Sequence, residues 1–194
     1  MIAERLVLAI TLLSAPAVFA GPVAYFANLN GPSEASPNTS PGIGFALITI
    51  DDVAHTLTID ATFSGLEGFT TAAHIHCCTA TPGALAAGVV TQVPSFPGFP
   101  LGVQAGTFSN TYDLTLASSW NPSFLNNATN LGSTASAEAA LAAGAFEGRA
   151  YLNIHSTIYG SGEIRGFLEP VPEPGTWLMA AGALLGLALR RLRR

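Results

Sequence analysis

Two histidines two residues apart, His74 and His76, run straight into Cys77 and Cys78, the densest set of metal-binding donors in the 194-residue chain. Imidazole nitrogen suits copper and zinc, and thiolate sulfur binds both. Around these residues Thr71, Ala73 and Ile75 alternate with Ala72, His74 and His76, which predicts a strand carrying both imidazoles on one face. Far downstream, Ala150-Tyr151-Leu152-Asn153-Ile154-His155 repeats the pattern, with Leu152 and Ile154 on one face and Tyr151, Asn153 and His155 on the other. If the two strands are neighbours, three histidines converge, and His74, His76 and His155 become candidate ligands for copper or zinc. The competing reading has the same rings covering an outer sheet face and bonding to Asn153, Thr71 or backbone groups.

The cysteines leave two readings open. In an oxidising exterior two cysteines normally pair. Adjacent Cα atoms about 3.8 Å apart fall below the usual disulfide range, so a vicinal Cys77–Cys78 bridge requires an eight-membered ring. Such a ring makes a rigid turn directly after His76, whereas reduced thiols could join a metal or bridge chains. Catalysis by side chains alone has little support. The sequence holds no Gly-x-Ser-x-Gly elbow, no phosphate-cradling Gly-Lys motif and no His-Glu-x-x-His helix. No catalytic residue is assigned. Glu163 and Arg165 flank Ile164 and are expected opposite it, paired with charges on another strand.

The elements that must position these residues are strands. Thr56 to Phe63 alternates Leu57, Ile59, Ala61 and Phe63 with Thr56, Thr58, Asp60 and Thr62, which predicts one buried and one wet face. Gly44 to Ile50 precedes it across Asp51-Asp52-Val53-Ala54, the pattern of a hairpin, and His55 reads as a surface residue beside that turn. Further strands are expected at Tyr25 to Leu29, around Val89-Val90, from Thr107 to Leu116, from Arg149 to His155 and from Gly162 to Leu168. Pro94, Pro97 and Pro100 forbid a helix or an interior strand and predict an ordered loop pinned by Phe96 and Phe99. One helix is expected from about Ser136 to Ala145, where alanines and Leu141 follow a Ser/Thr cap. About seven strands with one short inserted helix predict an all-β protein, an antiparallel β-sandwich or barrel.

Composition bounds the partners. Hydrophobic residues make up 49% of the chain and charged ones 10%, a bias partly located at the two ends. Between Gly21 and Val171 two basic residues face ten acidic ones, and the chain has no lysine, which excludes phosphate neutralisation and hence nucleic acid. Residues 1–20 have a polar start, an apolar run from Leu6 to Leu13 and small residues up to Ala20, the pattern of a secretory signal peptide cut by signal peptidase after Ala20. After Val171-Pro172-Glu173-Pro174-Gly175, an uncharged apolar tract from Trp177 to Leu189 ends in Arg190, Arg191, Arg193 and Arg194. Tilt and arginine snorkelling let so short a tract span a membrane, with the arginines cytoplasmic and the central domain outside.

Two resemblances attach to these motifs. Pro172-Glu173-Pro174, the apolar tract and the basic end resemble the PEP-CTERM sorting signals of exopolysaccharide-producing Gram-negative bacteria. That resemblance implies removal of residues 171–194 by an exosortase-type transpeptidase, a transient membrane anchor, and release or attachment at the cell surface or extracellular matrix. Phe26-Ala27-Asn28-Leu29-Asn30-Gly31-Pro32-Ser33-Glu34, Ala73-His74-Ile75-His76, Ala150 to His155 and Gly162-Glu163-Ile164-Arg165-Gly166 resemble the CHRD domain, named after chordin. It implies an Ig-like β fold over residues 21–170, and leaves function to the site. The His-x-His pair with a distal histidine is also similar to part of the copper site of copper-zinc superoxide dismutases. That class needs further histidines and an aspartate, and only His55 remains here. The expected function is therefore a non-enzymatic exported module, structural or adhesive in a biofilm or extracellular polysaccharide, with a copper or zinc protein as the alternative.

Overall fold

The computed structural model describes residues 21–172. The expected signal peptide with the cleavage expected after Ala20, and the sorting tail from Glu173 onward, lie outside the described residues, and Pro172 closes them. Among the described residues no helix is long and apolar enough to cross a membrane.

Eight strands form one antiparallel sheet: β1 (Pro22–Asn30), β2 (Ile43–Asp51), β3 (Thr56–Ser64), β4 (Thr70–His76), β5 (Gly106–Asp113), β6 (Tyr151–Ser156), β7 (Ile164–Phe167) and the two-residue β8 (Glu169–Pro170). The order across the sheet is β4-β6-β7-β1-β2-β3-β5, with β8 pairing β1 beyond β7. The sheet curls into a half-barrel, and its concave face holds the core of Tyr25, Ile48, Ile59, Ile75, Leu152 and Ile164, all under 2% exposed. Each such aliphatic side chain contributes about 1.5–3 kcal/mol on burial.

The β2–β3 hairpin forms because Asp51 Oδ1 accepts from the backbone N–H groups of Val53 and Ala54 at 2.9 Å, while His55 takes a left-handed φ of 54° to re-enter β3. The β3 alternation appears as read, with Leu57, Ile59, Ala61 and Phe63 buried. The strand expected to reach Leu116 stops at Asp113, whose carboxylate accepts from Thr115 and turns the chain, leaving Leu116 exposed.

Two further expectations need correction. Val89-Val90 is not a strand of the sheet: His76 and Val89 form an isolated bridge, and Val90 N–H donates to Ile75 O. The segment belongs to the long connection from Cys77 to Ala105, which lies along β4. It bonds β4 through Phe96 N–H to Ala73 O, Gly102 N–H to Thr70 O and Thr70 N–H to Val103 O. Its proline-rich part is pinned as expected, with Phe96 against Phe108 and Tyr112, and Phe99 against Phe63 and Phe108. The second correction concerns helices. Besides the long α2 (Thr134–Phe146) there is a one-turn α1 (Pro122–Leu125), with Asn121 as its cap and Pro122 in its first turn. Helix α2 starts earlier than read because Ser133 caps it, accepting from Ser136 N–H. It buries Ala137, Leu141 and Ala145 and holds His55 through Glu138, 2.9 Å from Nδ1.

Candidate metal centre

Strands β4 and β6 pair antiparallel with Ala72 opposite His155, His74 opposite Asn153 and His76 opposite Tyr151. Directly opposed residues share a face, so all three imidazoles stand together on the side away from Ala73, Ile75, Leu152 and Ile154. His74 and His76 are 6% and 9% exposed, and His155 is half-buried. Ring centroids lie 5.2 Å apart for His74 and His155, 5.8 Å for His74 and His76, and 6.1 Å for His76 and His155. One nitrogen from each ring lies within 4.8 Å of the others.

Backbone carbonyls fix which nitrogen that is. His74 Nε2 is 2.7 Å from Pro94 O, His76 Nδ1 is 2.9 Å from Ala87 O, and His155 Nδ1 is 3.0 Å from Gly160 O. A carbonyl only accepts, so each of these nitrogens carries the proton and donates it. The lone pairs are left on His74 Nδ1, His76 Nε2 and His155 Nε2. His74 Nδ1 and His155 Nε2 face each other at 3.3 Å, and His76 Nε2 is buried with no partner. In the neutral rings no hydrogen lies between the first two. Burial holds all three below the ordinary histidine range, with His76 pushed down to about 4, so protonation is disfavoured as the remedy. Tetrahedral zinc with bonds of about 2.0–2.1 Å sets its nitrogens about 3.3–3.4 Å apart, the separation already present between His74 and His155. Three imidazoles, each oriented by a backbone carbonyl, are the usual support of a histidine metal site.

The surroundings extend this order. Tyr151 stacks on His76 at 4.8 Å and 6°, and Arg165 lies over Tyr151 at 4.7 Å and over Phe167 at 5.1 Å. Asn153 donates through Nδ2 to both oxygens of Glu34 at 2.9 and 3.0 Å, while its Oδ1 is buried and unpaired. Burial pushes the Glu34 carboxyl up to about 7. Among the described residues Glu163 and Arg165 form no ion pair at salt-bridge distance, although the Arg165 charge acts on the Glu34 carboxyl. Arg165 donates to Ser33 O and Leu85 O, and Glu163, fully buried, accepts from Ser40 Oγ at 2.6 Å and from Gly68 N–H at 3.2 Å. Of the partners in the competing reading, backbone groups are the ones found: the carbonyls of Pro94, Ala87 and Gly160 hold the three rings, in place of Thr71 or Asn153. Those three carbonyls carry no sequence signal, because any residue type supplies one.

Cys77 and Cys78 are joined by a disulfide across a cis peptide bond, with Cα atoms 3.1 Å apart rather than the trans spacing. Among the described residues no free cysteine remains, so the donor set is nitrogen only.

Residues 25–168, from the first core strand to Leu168, match the CHRD domain family. The chain belongs to that family. All three histidines and both cysteines fall inside the CHRD match. Residues 170–194 match the PEP-CTERM protein-sorting motif, which marks the protein for export and for the cell surface or extracellular space. Before an exosortase-type system processes it, the protein is membrane-anchored. No curated protein and no solved structure matches the chain.

Proposed function

We propose that this exported CHRD protein binds one copper or zinc ion through His74 Nδ1, His76 Nε2 and His155 Nε2. The carrying observation is the pair of facing, proton-free nitrogens of His74 and His155 at 3.3 Å, whose other nitrogens both donate to backbone carbonyls. A cation turns that repulsion into two bonds and gives the orphaned His76 nitrogen its partner. The all-imidazole donor set favours copper or zinc over calcium or magnesium, which prefer oxygen. The unpaired Asn153 Oδ1 on the same face is an acceptor for a water that enters with the ion. What the chain supplies is a preset ligand geometry held by carbonyls and closed against wide solvent access.

The test is elemental analysis of the full chain, exported through an oxidising compartment and purified without chelators or a histidine tag. About one equivalent of copper or zinc is expected, with affinity falling by at least about 100-fold in the His74→Ala/His76→Ala variant. No metal after reconstitution with either ion would overturn the reading.

A further inference from the structure

The outer face of β2 carries a row of apolar side chains that the core does not use. Alternation puts Ala46, Ile48 and Ile50 inside and Ile43, Phe45 and Leu47 outside, where they are 61%, 47% and 40% exposed. Directly opposed residues share a face, so Phe26 on β1 stands beside Leu47, and Thr62 on β3 beside Phe45. Beside Phe45 the surface dips into an open groove of about 610 Å³, and none of the residues lining it is charged. Exposed hydrophobics such as Leu85, Leu116 and Leu131 stand singly in loops and need no explanation. A row of three on one strand, widened by Phe26, does.

Where the chain leaves the domain decides what covers this face. Strand β8 pairs β1 on the side away from β2, with Glu169 opposite Phe26, and Val171, 40% exposed, donates to Ala24 O. The row on β2 therefore lies two strand spacings, about 10 Å, from the exit. Trp177, where the apolar tract begins, is the fifth residue after Pro172. An extended chain covers at most about 3.6 Å per residue, so that linker reaches no further than about 18 Å. In the membrane-anchored form this part of the sheet is thus tied close to the bilayer surface. Charge does not draw it there. Between Gly21 and Val171 the basic residues are Arg149 and Arg165, the second is 4% exposed, and Asp60 and Glu169 border the row. The contact this face can make with lipid is apolar.

We propose that in the anchored form the outer face of β1 and β2 is a lipid-docking surface, with Phe26, Ile43, Phe45 and Leu47 resting in the interfacial layer of the bilayer. The tether supplies the effective concentration, and four partly exposed side chains supply a contact too small to hold the domain once the tail is removed. Docking keeps Pro172-Glu173-Pro174 at the membrane surface until processing, and release follows from losing the tether. The surface is independent of the metal centre.

The test places the full, oxidised chain, one copy per disc, in nanodiscs of phosphatidylcholine and phosphatidylethanolamine. A nitrobenzoxadiazole probe is attached at Thr62→Cys, beside Phe45, or at Ala128→Cys, exposed on the loop between α1 and α2. The native cysteines are joined to each other, so the introduced thiol takes the label. The Thr62 probe should emit further to the blue and be quenched by nitroxide lipid at least about twofold more than the Ala128 probe, as burial by about 5–10 Å at the headgroup boundary requires. Adding Phe45→Ser and Leu47→Ser, both at exposed positions, should bring the Thr62 probe to the Ala128 level with circular dichroism unchanged. Equal quenching of the two probes, or quenching that survives the double substitution, would overturn the assignment. A blue shift seen only with two copies per disc and without lipid quenching would overturn it too, and would give the face to a second copy of the chain.

Discussion

Strand β3 and strand β6 belong to the same sheet and follow opposite rules. In β3 the inward row of Leu57, Ile59, Ala61 and Phe63 is buried, and the outward row of Thr58, Asp60 and Thr62 meets solvent to varying degrees. In β6 four successive residues, Tyr151, Leu152, Asn153 and Ile154, are all 3% exposed or less, so both faces are covered. Water satisfies a polar side chain on the outer face of β3, and one residue there can replace another. On the outer face of β4 and β6 a polar group must find a particular partner. His74, His76 and His155 find carbonyls and Asn153 finds Glu34, which leaves the facing lone pairs of His74 Nδ1 and His155 Nε2 and the unpaired His76 Nε2 and Asn153 Oδ1 on that face. Unsatisfied groups concentrated on a twice-buried face indicate a place for something else to bind.

The contrast can be broken at its tightest point. A Cβ on Gly166, in β7 beside β6, would meet the backbone of Asn28 at 2.5, 2.7 and 3.0 Å, and a strand backbone cannot move away. Gly166→Ala should cost about 2–4 kcal/mol in urea denaturation, and a loss under about 1 kcal/mol would show that the covered half is looser than described. A smaller effect sharpens it through pH. In the chelator-treated protein the buried histidines have folded-state values below the ordinary 6.5, so the native state binds fewer protons than the unfolded chain and loses stability as pH falls from 6.5 toward 4. Glu34 acts in the opposite sense. Its folded value of about 7 lies above the ordinary 4.5, so it lowers stability as pH rises between the two. Glu34→Gln removes that opposition, and its stability should fall more steeply than wild type between pH 7 and 4.5. Parallel profiles would mean that this carboxyl does not titrate there. The smallest effect belongs to β3. Thr58→Ala removes an exposed hydroxyl contact with Thr111 Oγ1 at 2.9 Å and should change stability by less than about 0.5 kcal/mol.

The same contrast explains what could be read before the fold was known. Where one face is wet, as in β3, the alternation of Leu57 to Phe63 declares the strand, and Asp51 with its turn declares the hairpin. The histidine spacing likewise places His74 and His76 on one face, and helix α2 follows from its alanines and serine cap. The pairing of β4 with β6 is a long-range event that no local pattern fixes, so convergence of His155 with them could be expected only conditionally. Ala87, Pro94 and Gly160 were silent because they act through main-chain oxygen.

The connection laid along β4 has a further consequence. Strand edges with free N–H and C=O groups invite a strand from another molecule. Here Val90, Phe96, Gly102 and Val103 take up outward backbone hydrogen bonds of β4, Gly88 accepts from Cys77 just beyond it, and prolines interrupt the segment that carries them. The strand bearing His74 and His76 is thus covered along this edge and is not left free to template the addition of another strand.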